Sequence, residues 1–178
     1  SADQVLTSDG TDISWEDASG GVTFKAFGTS SIMVGDDATG TIDAANYNTG
    51  LGVDIFAALT TGDGNTALGY SALAGNTTAA SNTAVGHLSL YTNSTGATNV
   101  AVGESALRLN TTASYNTAVG GNALYTNTTG ANNTAVGNGA LNANTTAANN
   151  TAVGNNALAV NTTGTQSVAV GSLALDAN

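Results

Sequence analysis

Asn116-Thr117-Ala118-Val119-Gly120 returns as Asn133-Thr134-Ala135-Val136-Gly137, and again as Asn150-Thr151-Ala152-Val153-Gly154, with a constant period of 17. The closing glycine keeps that spacing along nearly the whole chain, through Gly35, Gly52, Gly69, Gly86, Gly103, Gly120, Gly137, Gly154 and Gly171. Strict self-similarity decides the architecture before any local argument, because a small unit that cannot bury its apolar side alone must stack on its copies. Two helices with their loops need about 33 residues per repeat, so a helical array does not fit.

Positions are counted from the glycine as zero. Position −4 is Asn in Asn65, Asn82, Asn99, Asn116, Asn133 and Asn150, then Ser167. Positions −3 to −1 read Thr-Ala-Val, an alternation that suits a short strand. Thr and Val point to one side and Ala to the other. Glycine turns the chain, since it adopts positive φ without a Cβ penalty. Positions +3 and +4 read Ala-Leu and are expected to form a second short strand. Asn-Thr-Thr at +7 to +9, as in Asn110-Thr111-Thr112, makes the other turn, where Asn and Thr bond their own backbone. The fold class is therefore all-β: a parallel β-solenoid, or β-roll, of nine 17-residue coils. Coils at about 4.8 Å spacing give a rod roughly 40 Å long. Asn at −4 and at +7 should line up as two ladders, each amide bonding its copies above and below. Position +10 alternates through Ala79, Gly96, Ala113, Gly130, Ala147 and Gly164, a doubled super-period that reads as a trace of duplication.

The early coils are degenerate but in register. Ser31-Ile32-Met33-Val34-Gly35 fills the first slot, and Ile55-Phe56 replaces Ala-Leu. The solenoid domain is placed at 31–178. Residues 1–30 are not repeat and form an N-terminal cap or linker, in which Val5-Leu6-Thr7 and Ile13-Ser14-Trp15 read as a hairpin about an Asp-Gly turn.

The 178 residues include no Pro, no Cys and 23 Gly, and only 8% are charged. Net charge is −10, with ten of the twelve acids at or before Asp63. Two cations, Lys25 and Arg108, are too few to neutralise a run of phosphates, so nucleic acid is excluded as a partner, and an anionic membrane surface is disfavoured. Without Cys there is no disulfide, thiolate or Cys-zinc chemistry. No apolar run is long enough to span a bilayer. The first residues, Ser1-Ala2-Asp3-Gln4, do not read as a signal peptide.

No residue set points to catalysis, a cofactor or a metal. The lone His87 reads as a solvated side chain at variable position +1, and Glu104 occupies the same slot one coil later. Asp36-Asp37 and Asp43 lack the recurrent Asp that loads calcium into other β-rolls and read as solvated turn carboxylates. Asn76, Asn93, Asn110, Asn127, Asn144 and Asn161 match the glycosylation acceptor pattern but are one turn sequence copied six times. Tyr70, Tyr91 and Tyr125 are candidate surface or receptor contacts; Tyr115 also sits at a variable position. Gly69, Gly86, Gly103, Gly120, Gly137, Gly154 and Gly171, with the Asn column at −4, form the structural ladder. One Val and one Leu per coil are sparse filling against the entropy of ordering a whole coil of backbone. Further apolar surface is therefore expected to be buried between copies, with the alanine row at −2 and the Ala-Leu row as the candidate contacts and cyclic symmetry as the arrangement.

Asn99-Val100-Ala101-Val102-Gly103 and Ser167-Val168-Ala169-Val170-Gly171 resemble the head repeats of trimeric autotransporter adhesins, over roughly 31–178. The resemblance implies a left-handed parallel β-roll with three chains in one trimer. The period here is longer than in those heads, with an added Asn-Thr-Thr turn, and Thr replaces the first apolar residue in most coils. Gln4-Val5-Leu6-Thr7-Ser8-Asp9-Gly10-Thr11-Asp12-Ile13-Ser14-Trp15 is similar to a linker motif of bacteriophage tail fibres, which are also homotrimers. The expectation is a non-enzymatic, homotrimeric fibre module, extracellular or on a virion surface. It acts as a rigid shaft or meets a cell-surface glycan or protein receptor. The head of a bacterial surface adhesin is the alternative. An ice-binding solenoid is a third, disfavoured because the adjacent Thr at +8 and +9 point apart.

Overall fold

A computed structural model describes residues 45–176 throughout, together with the strand segments 7–8, 13–14, 23–27 and 31–35. Nine parallel strands carry the repeat: β4 (Ser31–Gly35), β5 (Thr49–Leu51), β6 (Thr66–Leu68), β7 (Thr83–Val85), β8 (Val100–Val102), β9 (Thr117–Val119), β10 (Thr134–Val136), β11 (Thr151–Val153) and β12 (Val168–Val170). Each pairs with the next at the same repeat position; Ala118 faces Ala101 on one side and Ala135 on the other. The chain is an all-β parallel solenoid, and the described residues contain no helix. Ahead of it, β3 (Thr23–Phe27) lies antiparallel to β4 and closes that edge of the sheet. Further ahead, β1 (Thr7–Ser8) pairs antiparallel with β2 (Ile13–Ser14). The Asp9-Gly10 turn and Trp15 lie outside the described residues, as do Asp36, Asp37 and Asp43.

The strand alternates as its composition suggests, but the inner side carries alanine, not valine. Ala84, Ala101, Ala118, Ala135 and Ala152 are wholly buried, whereas Val136 is 37% and Leu68 42% exposed. The coil is too narrow for more. Its other wall is Ala at +3 and Leu at +4, and Leu73, Leu90, Leu107, Leu124 and Leu141 are fully buried. The −2 alanines and the Ala-Leu pair thus fill the inside of each coil, so neither row is free to meet another chain. The coil of Gly52 exchanges volumes. Ile55, Phe56 and Leu59 fill it, and Gly50 takes the inward place, where a Cβ would lie 2.4 Å from Ile55 Cδ1.

The Ala-Leu segment is not a strand. Two tight turns follow each other, closed in the coil of Gly120 by Ala123 N–H to the Gly120 carbonyl (3.3 Å) and by Asn127 N–H to the Leu124 carbonyl (3.1 Å). Positions +2 and +4 are left-handed, with φ of 56° at Asn122 and 51° at Leu124. Amides there alternate in direction: Asn122 N–H bonds the Glu104 carbonyl one coil back, and Leu124 N–H bonds the Ala140 carbonyl one coil on. Backbone polar groups are thereby satisfied between coils without extended geometry.

A left-handed leucine costs about 1–2 kcal/mol. The position tolerates Leu because its branch is one carbon further out; a β-branched residue with the same left-handed φ is a stronger outlier. Leu124→Val is therefore expected to lose about 2–3 kcal/mol, from the missing methylene plus backbone strain. Leu124→Met keeps volume and an unbranched Cβ and should lose under about 1.5 kcal/mol. Urea denaturation of the two variants, followed by far-ultraviolet circular dichroism, checks the order.

Two asparagine columns run inside the rod. The +7 column is an amide ladder: Asn110 Nδ2 donates to Asn93 Oδ1 at 2.8 Å, Asn127 to Asn110 at 3.0 Å and Asn144 to Asn127 at 2.9 Å. The −4 column works differently. Its Oδ1 accepts the backbone N–H of the next coil's Asn, as from Asn116 to Asn99 (2.9 Å) and from Asn133 to Asn116 (2.9 Å). Both columns donate to the same +10 carbonyl; Asn116 and Asn127 Nδ2 each reach Gly130 O at 2.9 Å. At the last coils this breaks down, and Asn150 Nδ2 is buried without a partner among the described residues.

The alternation at +10 has a steric content. A Cβ on Gly96 would sit 2.2 Å from the Ala113 carbonyl oxygen and 2.5 Å from Asn93 Oδ1, and one on Gly130 meets the equivalent atoms at 2.3 and 2.6 Å. Ala79, Ala113 and Ala147 hold their methyl groups in the buried wall at 3% exposure. Coils with Gly at +10 have no room for a methyl group there, whereas coils with Ala accommodate one.

Candidate functional site

Two sets of outward residues stand out on the described coils. The first is the strand face. Its −3 column is Thr49, Thr66, Thr83, Val100, Thr117, Thr134, Thr151 and Val168, and its −1 column runs from Leu51 and Leu68 through valines to Val170. Alternate residues of a strand share a side, and every described residue in both columns is exposed or half-buried. This face carries no charge. Its exposed apolar members include Leu51 (52%), Val100 (37%) and Val170 (71%). The −1 column alone is an unbroken row of Leu and Val along the eight coils, flanked by the mostly Thr −3 column.

The second set stands at the corners of the two turns, in two separate columns at positions +1 and +5. Here the structure places Tyr70, His87 and Glu104 in one column and Tyr91, Arg108 and Tyr125 in the other. Tyr70 and His87 stack, with ring centroids 5.5 Å apart and planes 21° from parallel. His87 Nδ1 is 4.0 Å from Glu104 Oε1, the side chains 51% and 74% exposed. Water screens a contact of that length, and it adds little. Arg108 Nη1 donates to Tyr125 Oη at 3.1 Å, and the guanidinium carbon lies 5.7 Å from the Tyr125 ring centroid. Arg108 Nε is buried without a hydrogen-bond partner among the described residues. Tyr115 stands apart at −5, with φ of 62°. The Tyr70–His87 and Arg108–Tyr125 contacts went unread in the sequence, although each joins residues one period apart.

The six glycosylation-pattern asparagines of the +7 column are interior. Asn76, Asn93, Asn110, Asn127 and Asn144 are fully buried, and Asn161 is 6% exposed. Among the described residues no three His, Asp or Glu side chains gather as a metal would need, and no helix is long and apolar enough to cross a membrane. The ladder residues named above lie along the strand and its following bend. Comparison with protein-family models, curated proteins and solved structures returned no match.

Proposed function

We propose that the chain is a non-enzymatic structural module of an extracellular, homotrimeric fibre of the phage tail-fibre kind. Three left-handed rods pack through their strand faces and serve as a rigid shaft or receptor-contacting surface. The observation that carries this reading is the uncharged −3/−1 face, a two-column strip of Thr, Val and Leu that is exposed or half-buried along eight coils from Thr49 to Val170. It takes the part that the interior alanine rows cannot. Rows in register on every coil are self-complementary along the rod axis, which suits cyclic packing of identical chains.

Sedimentation equilibrium should show a species of three times the chain mass. Val119→Asp with Val136→Asp puts a charge on two adjacent coils of the interface and is expected to give monomers, because an unpaired buried charge costs several kcal/mol per site. The circular dichroism spectrum should persist, since both side chains point out of the coil. A wild-type monomer overturns the reading.

One observation favours a second reading, an ice-binding face. Thr at −3 and Val at −1 lie on the same outward side, two residues apart, and recur on successive coils. The adjacent Thr at +8 and +9 are therefore not the relevant pair. A monomer that shows thermal hysteresis in a nanolitre osmometer favours this reading; a trimer without hysteresis favours the fibre.

A further inference from the structure

We propose that the turn corners of the coils from Gly69 to Gly120 form a binding strip for a neutral oligosaccharide, centred on Tyr70, His87, Glu104, Tyr91 and Arg108. This deepens the receptor-contacting reading by naming the ligand chemistry, and its test does not require the trimer. In a tandem repeat, residues that depart from the copied pattern are the ones free to carry a local task. At the other described corners +1 is Val53, Gly121, Asn138, Asn155 or Ser172, and +5 is Ala57, Ala74, Asn142, Ala159 or Asp176. Among the described coils, aromatic corner residues occur only in those of Gly69, Gly86 and Gly120, the coil of Gly103 between them carries Glu104 and Arg108, and the one other charge at a corner is Asp176 in the last coil.

The replacements have the chemistry of sugar recognition. Tyr70 is 50% and Tyr91 37% exposed, on a surface otherwise built mainly from Thr, Asn, Ser, Ala and Gly. An exposed ring offers its negative face to polarised C–H groups of a pyranose while its edge stays wet. The Tyr70 and His87 rings are close to parallel and stacked, so each covers part of one face of the other, and it is the outer faces that a sugar would meet. Beyond it, the Glu104 carboxylate is 74% exposed and accepts hydroxyl donors. Arg108, held against Tyr125 by its Nη1 bond and with Nε buried, has its Nη2 donors left for hydroxyl or acetamido oxygens. One sugar ring is about as long as one coil is thick, so a linear glycan along the rod meets successive coils with successive residues. The strip carries one carboxylate and one guanidinium, and the chain as a whole is at −10. With its own charges cancelling and no cluster of cations, the strip offers an anionic glycan nothing that a neutral one lacks.

The test uses the full chain on an array holding neutral hexose and N-acetylhexosamine oligosaccharides beside sialylated and uronate-containing ones. Binding to neutral members is expected, with loss of about tenfold in affinity for Tyr70→Ala plus Tyr91→Ala together, as stacking energies imply. Tyr115→Ala, in the column at −5, should leave it unchanged. Binding to acidic members alone, to none, or with equal loss in the Tyr115 variant overturns the proposal. Sedimentation of the same preparations reads assembly separately. An intact trimer that ignores neutral glycans sinks the strip and spares the fibre, and a monomer that binds them does the reverse.

Discussion

Gly120→Ala is expected to cost at least about 3 kcal/mol and to open the solenoid locally, while Gly121→Ala one residue later stays within about 1 kcal/mol. The two glycines are neighbours in sequence but not in constraint. Gly120 has φ of 132°, a region that is nearly closed to residues with a Cβ. Its added methyl would also lie 2.6 Å from both the carbonyl carbon and the oxygen of Gly137. Those atoms belong to the next coil's backbone, and Gly137 makes the same contact with Gly154, so no neighbour can yield without moving its own. Gly121 has no positive φ, and the nearest atom to its added methyl is Asn138 Nδ2 at 3.0 Å, the end of an exposed side chain that can swing away. In a stacked array, stability is close to a sum of unit and interface terms. The damage should therefore show as lost amide protection in the coils on either side of Gly120. Native-state hydrogen exchange, read by mass spectrometry on both variants, measures it. Equal protection in the two would mean that the glycine column is a relic of copying and not a packing requirement.

The coil count, the parallel register and the role of the glycine column were legible in the sequence because the period states them: whatever recurs once per period in a solenoid lies one coil above itself. The same rule makes Tyr70 the neighbour of His87 and Arg108 the neighbour of Tyr125, contacts that periodicity alone can find. What failed was the choice of inner side. Hydrophobicity ranks Val119 above Ala118, and a strand read in isolation is turned with valine inward. The outcome is set by width, since Leu124 and Ala123 already fill the opposite wall and leave room only for a methyl group. That is a property of the closed coil, invisible in three residues. The Ala-Leu segment failed for a related reason. Left-handed φ is inferred from Gly or Asn, and Leu124 gives no such sign. Its backbone is imposed by inter-coil bonds from the residues around it, so propensity pointed to a strand where stacking requires two turns. At Asn116 the ladder was foreseen, but its partner was not: side-chain oxygen to backbone amide needs the actual spacing between coils.

Asn127→Leu, like the same change at Asn110 or Asn144, should be strongly damaging, at about 2–4 kcal/mol, although the replacement is similar in size and lies in a dry interior. Asn127 Nδ2 donates to Asn110 Oδ1 and to Gly130 O, and its Oδ1 accepts from Asn144 Nδ2. Removing it does not strand all three partners equally. Gly130 O keeps the Asn116 amide at 2.9 Å, and Asn144 Nδ2 keeps the Ala147 carbonyl at 2.9 Å. Asn110 Oδ1 loses the donor that satisfies it, and one N–H of Asn144 is left facing hydrocarbon. A buried group deprived of its partner loses its hydration without return, which is why the cost exceeds the net worth of the bonds themselves. Asn150→Ser supplies the contrast. Asn150 Nδ2 already lacks a partner among the described residues, and the next coil carries serine at the same position, Ser167, whose N–H bonds Asn150 Oδ1 at 2.9 Å. A serine at 150 forfeits that one acceptor contact and removes an orphaned amide, so its loss should stay near about 1 kcal/mol. Thermal melts of the two variants separate the cases: the 127 variant falls by several degrees more than the 150 variant if the ladder holds the coils. If the order reverses, the amide column is filler and the leucine wall alone keeps the stack together.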